Sequence, residues 1–100
     1  MTCYARDECR YRITDYSRNQ ARKLGVSIRL SSNPKKKLDV YKNGVKVASI
    51  GATNFGDYGT FLETKGKTYA DERRRLYKIR HKGEDKRVGS NGYYSWYILW

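Results

Sequence analysis

Histidine, cysteine, proline and methionine are scarce: one, two, one and one in 100 residues. One histidine and two cysteines cannot furnish a four-ligand Cys/His zinc site. Asp57, Asp71, Glu72, Glu84 and Asp85 follow no metal-loop spacing. The segment GATNFGDYG is glycine-rich but lacks the lysine and the serine or threonine of a phosphate-binding loop. No Ser/His/Asp arrangement can be inferred from spacing. His81 reads as a helix-terminal residue whose charged form suits the C-terminal dipole. No catalytic, metal or cofactor-binding residue is therefore assigned, no enzyme is expected, and no small-molecule substrate or cofactor is implied.

Long apolar stretches are also missing. A membrane-crossing helix needs ~20 apolar residues. The longest uncharged run, Val88 to Trp100, is rich in glycine, serine, asparagine and tyrosine. The start, MTCYARDECRYR, is polar and does not read as a signal peptide. The expected setting is a reducing intracellular space or a particle assembled there. Cys3 and Cys9 are then two reduced thiols, with a small disulfide loop as the alternative.

Acids are the last scarcity, and the most informative. Ten Asp and Glu face 22 Lys and Arg, for a net charge of +12. So large an excess on so small a chain favours an anionic partner: nucleic acid, an acidic protein surface or an anionic membrane. What the chain has instead is tyrosine, ten residues of it within a 14% aromatic content. That content argues against wholesale disorder.

Residues 1–24 read as an N-terminal basic arm or a short helix, the stretch Asp15 to Leu24 meeting Gly25 as a C-cap. Residues 25–100 read as one small domain. Val26, Ile28 and Leu30 alternate with polar residues, as in a half-buried strand. Asn43-Gly44 between alternating apolar residues marks a tight hairpin. Closing it pairs Val40 with Val47 and Leu38 with Ser49. Leu38, Val40, Val45 and Val47 then share one face, and Tyr41, Ala48 and Ile50 the other. Residues 51–67 read as a glycine-rich loop with a short extra strand at Tyr58 to Leu62 as an option.

A helix is expected over 68–82. Thr68 and Asp71 would form its capping box, and Gly83 would stop it. Tyr69, Leu76 and Ile79 form its apolar stripe, flanked by Arg73, Tyr77 and Arg80. The last element, YYSWYILW, is a strand by propensity, with a helix as the alternative. The expected fold class is α+β: a small antiparallel three-stranded meander, one basic helix and an aromatic C-terminal element.

The cations placed to meet an anionic partner are Lys35, Lys36 and Lys37 before the hairpin, and Arg74, Arg75, Lys78 and Lys82 on the helix. Arg73 and Arg80 are expected to stack on tyrosines. Trp96 is expected in the core, with Tyr97 and Trp100 turned towards a neighbouring subunit. Asn43, Gly44, Thr68 and Asp71 are structural. Residues 1–24 are expected to add little to the meander's stability and to order on a neighbouring protein.

The order of these motifs resembles a family of short basic proteins encoded by large nucleocytoplasmic DNA viruses, the chlorovirus and mimivirus relatives. Its members carry a hairpin ending in FG, an Asp-Tyr pair, a helix of the type ERKKRYxxRH and a terminal GFWSRWLLW. The matching residues are Gly51, Asp57, Tyr58, Glu72, Arg73, Arg74, Tyr77, Arg80, His81, Gly92, Ser95, Trp96, Leu99 and Trp100, over residues 38–100. The loop after Tyr58 is longer than in the family, Tyr94 replaces a tryptophan, and the arginine before Trp96 is missing.

The resemblance implies a virion component: a minor capsid protein cementing the major capsid lattice at the inner face of an icosahedral shell, after assembly in the host cytoplasm. Its partners would be the major capsid protein and other minor capsid proteins, with genome DNA or the internal viral membrane surface nearby. A sequence-nonspecific nucleic-acid-binding protein is the alternative reading. An adaptor on an anionic membrane surface is the third.

Overall fold

A computed structural model describes residues 11–100. The expectations for Cys3 and Cys9, and for the start of the N-terminal segment, lie outside the described residues.

Helix α1 (Asp15–Leu24) follows from its ends. The Thr14 hydroxyl accepts from the Ser17 N–H at 3.2 Å, and Gly25 closes the helix at φ 73°. Thr14, Ser17 and Ala21 are buried. The helix reading of residues 15–24 thus holds over the arm reading. The expectation that this stretch orders on a neighbour is corrected: it is built into the protein's own body, for reasons given below.

Strands β1 (Ser27–Leu30), β2 (Lys36–Lys42) and β3 (Val45–Ala52) form the antiparallel sheet, in the order β1-β2-β3. Asn43 and Gly44 both take positive φ, 54° and 79°, as the tight hairpin requires. The expected register fails halfway along. Lys42 faces Val45 and Tyr41 faces Lys46, but Val40 faces Ala48 and Leu38 faces Ile50. One extra residue on β3 has shifted the pairing, as in a β-bulge. A one-residue slip exchanges faces. Ala48 and Ile50 therefore join Leu38 and Val40 in the core, while Val45 and Val47 are exposed.

Residues 51–67 are not a loop. Helix α2 (Tyr58–Lys65) starts at Asp57, whose Oδ1 accepts from the Thr60 N–H at 2.9 Å. Helix α3 (Lys67–Arg80) follows after Gly66 alone. The Gly66 N–H donates to the Phe61 carbonyl, and its own carbonyl accepts from Ala70. Thr68 therefore does not cap α3; it is an exposed residue of the first turn. Asp71 accepts instead from the Tyr58 hydroxyl at 2.8 Å and the Lys67 ammonium at 2.6 Å.

The phase of α3 also differs from expectation. Ala70 and Tyr77, one heptad apart, are its buried residues. Tyr69 and Ile79 are exposed.

The C-terminal element is helical. Helix α4 (Asn91–Tyr94) is capped by Ser90 and widens into a π-turn over Ser95–Leu99. Tyr94, Ile98 and Leu99 pack against Leu38, Val40, Ala48 and Ile50 to make the core. The Ser17 hydroxyl donates to the Ile98 carbonyl at 2.9 Å, and Gln20 Nε2 to the Tyr97 carbonyl at 2.9 Å. Carbonyls that a widened turn leaves without regular helical partners are thus satisfied by α1.

The expected placing of Trp96 in the core is not met, and the two tryptophans do not differ in burial: both are half-buried. Trp96 is only half-buried, lying beneath the Lys78 ammonium at 4.9 Å. Trp100 is also half-buried and stacks on Tyr77, with ring centroids 4.5 Å apart and planes 9° apart. Tyr97 packs against Tyr93 at 5.1 Å.

Candidate anion-binding surface and cleft

The cations fall into two kinds. Lys37 is buried, at 4% side-chain exposure, and its ammonium lies 2.9 Å from Asp57 Oδ2, a carboxylate with no exposure at all. The same oxygen accepts from the Tyr11 hydroxyl at 2.7 Å. Lys37 is therefore no partner contact, and its assignment as one is corrected. It lies inside because the strand places it opposite the neck of α2, where Asp57 already serves as a cap. Burial, followed by the charge of Asp57 and the hydrogen bond to it, pushes the Tyr11 phenol well above its ordinary range.

Arg74 is also engaged internally. Its guanidinium lies 3.9 Å from the centre of the Tyr58 ring and 3.4 Å from Asp71 Oδ1. Tyr58 in turn meets Tyr16 of α1 at 4.7 Å. Arg75 is exposed and paired with Glu72 one turn earlier, at 2.5 Å. Lys78 spans Trp96, and burial, then the charge of Arg74, pull its pKa down. Lys35 and Lys82 are exposed, and Lys36 is half-buried at the start of β2.

Most of the described acids are engaged within the protein; Asp15 and Asp85 make no ion pair. Asp39, Asp57, Glu63, Asp71, Glu72 and Glu84 each hold a basic side chain. Among the described residues, Lys35, Lys36, Lys42, Arg80, Lys82, Lys86 and Arg87 make no ion pair, and all but the half-buried Lys36 are exposed. The excess charge is thus carried by outward-facing groups. No family model, curated protein or solved structure matches this chain.

A cleft of about 480 Å³ opens between the end of β3, α3 and the π-turn. Arg73, Tyr77, Arg80 and His81 form one wall, at the i, i+4, i+7 and i+8 positions of a single helical face. Trp100, Phe55 and the backbone around Gly51 and Gly56 form the others. Tyr77 stacks on Trp100 and also on His81, whose ring centre is 4.2 Å away. Burial and the nearby charge of Glu84 push the Tyr77 phenol up to about 12. His81 Nδ1 lies 2.5 Å from Glu84 Oε2.

Arg73, Arg80 and the rings beside them were visible in the sequence only as the edges of the apolar stripe. The Ala70–Tyr77 phase turns that edge into a lining. Arg73 lies 6.0 Å from the Phe61 ring centre rather than on a tyrosine. Among the described residues, no group of three or more histidine, cysteine, aspartate or glutamate side chains could hold a metal ion. No helix among them is long and apolar enough to cross a membrane.

Proposed function

We propose that this chain is a structural virion protein, a minor capsid protein that cements the major capsid lattice of a large icosahedral DNA virus. The observation that carries the reading is the division of charge. Six of the eight described acids are held in ion pairs within the protein, and outward-facing cations remain for an acidic partner. Such a surface suits docking against carboxylate-bearing undersides of capsid subunits, with electrostatics giving orientation and rate. The resemblance to short basic proteins of large DNA viruses supports the viral setting. Cross-linking mass spectrometry on purified particles tests it. Cross-links from Lys35, Lys36 and Lys82 to capsid subunits are expected, and their absence from particles that contain the chain would sink the proposal.

A second reading, sequence-nonspecific nucleic-acid binding, is favoured by the guanidinium and aromatic groups that share the cleft. It requires affinity for duplex DNA that falls by orders of magnitude between roughly 50 and 200 mM salt. A capsid cement requires no such affinity.

A further inference from the structure

Every described ion pair leaves the cleft beside α3 short of negative charge. Its lining contains Arg73, Arg80, Lys37 and His81 and, among the described residues, no aspartate or glutamate side chain. Lys37 is neutralised by Asp57 and His81 faces Glu84. Arg73 and Arg80 have no acid partner among the described residues. The Arg73 Nε–H is moreover buried with no hydrogen-bond partner among them. A buried donor in that state is unfavourable, and an oxyanion in the cleft would satisfy it with a charge-assisted hydrogen bond.

The rest of the lining is not suited to a bare anion. Tyr77 already stacks on both Trp100 and His81, so the rings left to a ligand are Phe55, 73% exposed, and the half-buried Trp100. Aromatic faces of this kind take flat rings. The volume lies within the range of small-molecule sites, about 300–1,000 Å³.

We infer that this cleft binds a nucleoside monophosphate unit. Arg73 and Arg80 hold the phosphate, and the base lies against Phe55 and the half-buried Trp100. The two arginines are seven residues apart on α3, about 10 Å along its axis, so their long side chains can converge on one phosphate. The unit can be a free nucleotide or part of a single strand; the chemistry recognised is the same. The inference stands apart from the capsid reading, since a capsid cement needs no nucleotide cleft.

The test is titration of the folded chain with AMP, adenosine, inorganic phosphate and a (dT) oligonucleotide, followed by two-dimensional NMR. AMP is expected to bind saturably and to shift the Trp100 indole and the Arg73 Nε–H resonances. Adenosine and phosphate alone are expected to bind more weakly than AMP. Arg80→Gln, at an exposed position, should weaken AMP roughly 10- to 100-fold. Arg73→Lys keeps the charge but loses the fork and should weaken it as well, with an unchanged melting temperature showing that the fold survives. Lys23→Gln, exposed in the last turn of α1 and outside the cleft, should leave AMP binding unaltered. If the oligonucleotide also binds and competes with AMP, the strand is a source of the unit. AMP binding that ignores Arg80→Gln overturns the inference. So does an oligonucleotide bound without any AMP shift at the cleft, which would be surface polyelectrolyte binding.

Discussion

Lys37–Asp57 and Arg75–Glu72 are the same kind of pair in chemical terms, with opposite consequences. The first has side-chain exposures of 4% and 0%, the second of 58% and 54%. Around Asp57, three donors converge: the Lys37 ammonium, the Tyr11 hydroxyl and the Thr60 N–H. They tie the segment before α1, strand β2 and helix α2 to a single carboxylate. Among the described residues, the hydrogen bonds around Glu72 come only from Arg75, one turn along the same helix. Buried charge here organises the fold, and exposed charge is left for partners.

The largest expected effect comes from Asp57→Ala. It leaves the Lys37 ammonium buried without a counter-charge and removes the helix cap, and should lower stability by about 3–5 kcal/mol in urea unfolding. Adding Lys37→Met should recover part of the loss, because the stranded charge disappears. A loss below about 1 kcal/mol for Asp57→Ala would put this pair in the same class as a surface bridge and break the comparison.

Gly44→Val comes next, at about 1–3 kcal/mol by thermal unfolding. Gly44 is exposed, with no atom of the described residues within 4 Å of the place a Cβ would occupy, so the penalty comes from its φ of 79°. It separates the cost of an unfavourable backbone from the cost of burial.

Asp39 sharpens the comparison through pH. Burial alone would raise its pKa, but hydrogen bonds from Ser49 and Ser31 and the Lys46 charge outweigh it, leaving the carboxyl below its ordinary 3.8. A depressed folded-state pKa gives stability that is complete above the unfolded value and lost as pH falls through the folded value. Ser49→Ala removes the 2.7 Å hydrogen bond and should move the acid-unfolding midpoint to higher pH. An unchanged midpoint would show that Asp39 does not contribute to the acid transition.

The smallest effect belongs to Glu72→Gln, which should leave the melting temperature nearly unchanged, and the more so at high salt.

The parts legible in the sequence are those whose causes are local. The α+β class, the three-stranded meander and the Asn43-Gly44 turn followed from alternation and from two residues that accept positive φ. Helix α2 was hidden because its cause is tertiary. Its segment is glycine-rich, yet Gly59 is there because a Cβ would lie 2.2 Å from the Thr14 hydroxyl oxygen. Close packing of α1 on α2 demands the glycine, which sequence reasoning takes for a loop signal. Lys37 stood within a lysine triplet and nothing nearby betrayed its partner twenty residues on. The cleft followed from the rotation of α3, which a one-residue phase error conceals.

The clasp between α1 and the π-turn bears on folding kinetics. Ser17 and Ile98 are separated by 81 positions, whereas the β2–β3 pairing spans a tight turn. Contacts that close so long a loop form late, after local pairings have lowered the entropy still to be lost. The hairpin should therefore be structured in the folding transition state and the clasp not. Ser17→Ala should leave the refolding rate nearly unchanged and speed unfolding, so that this one hydroxyl governs how long the native state lasts rather than how fast it is reached.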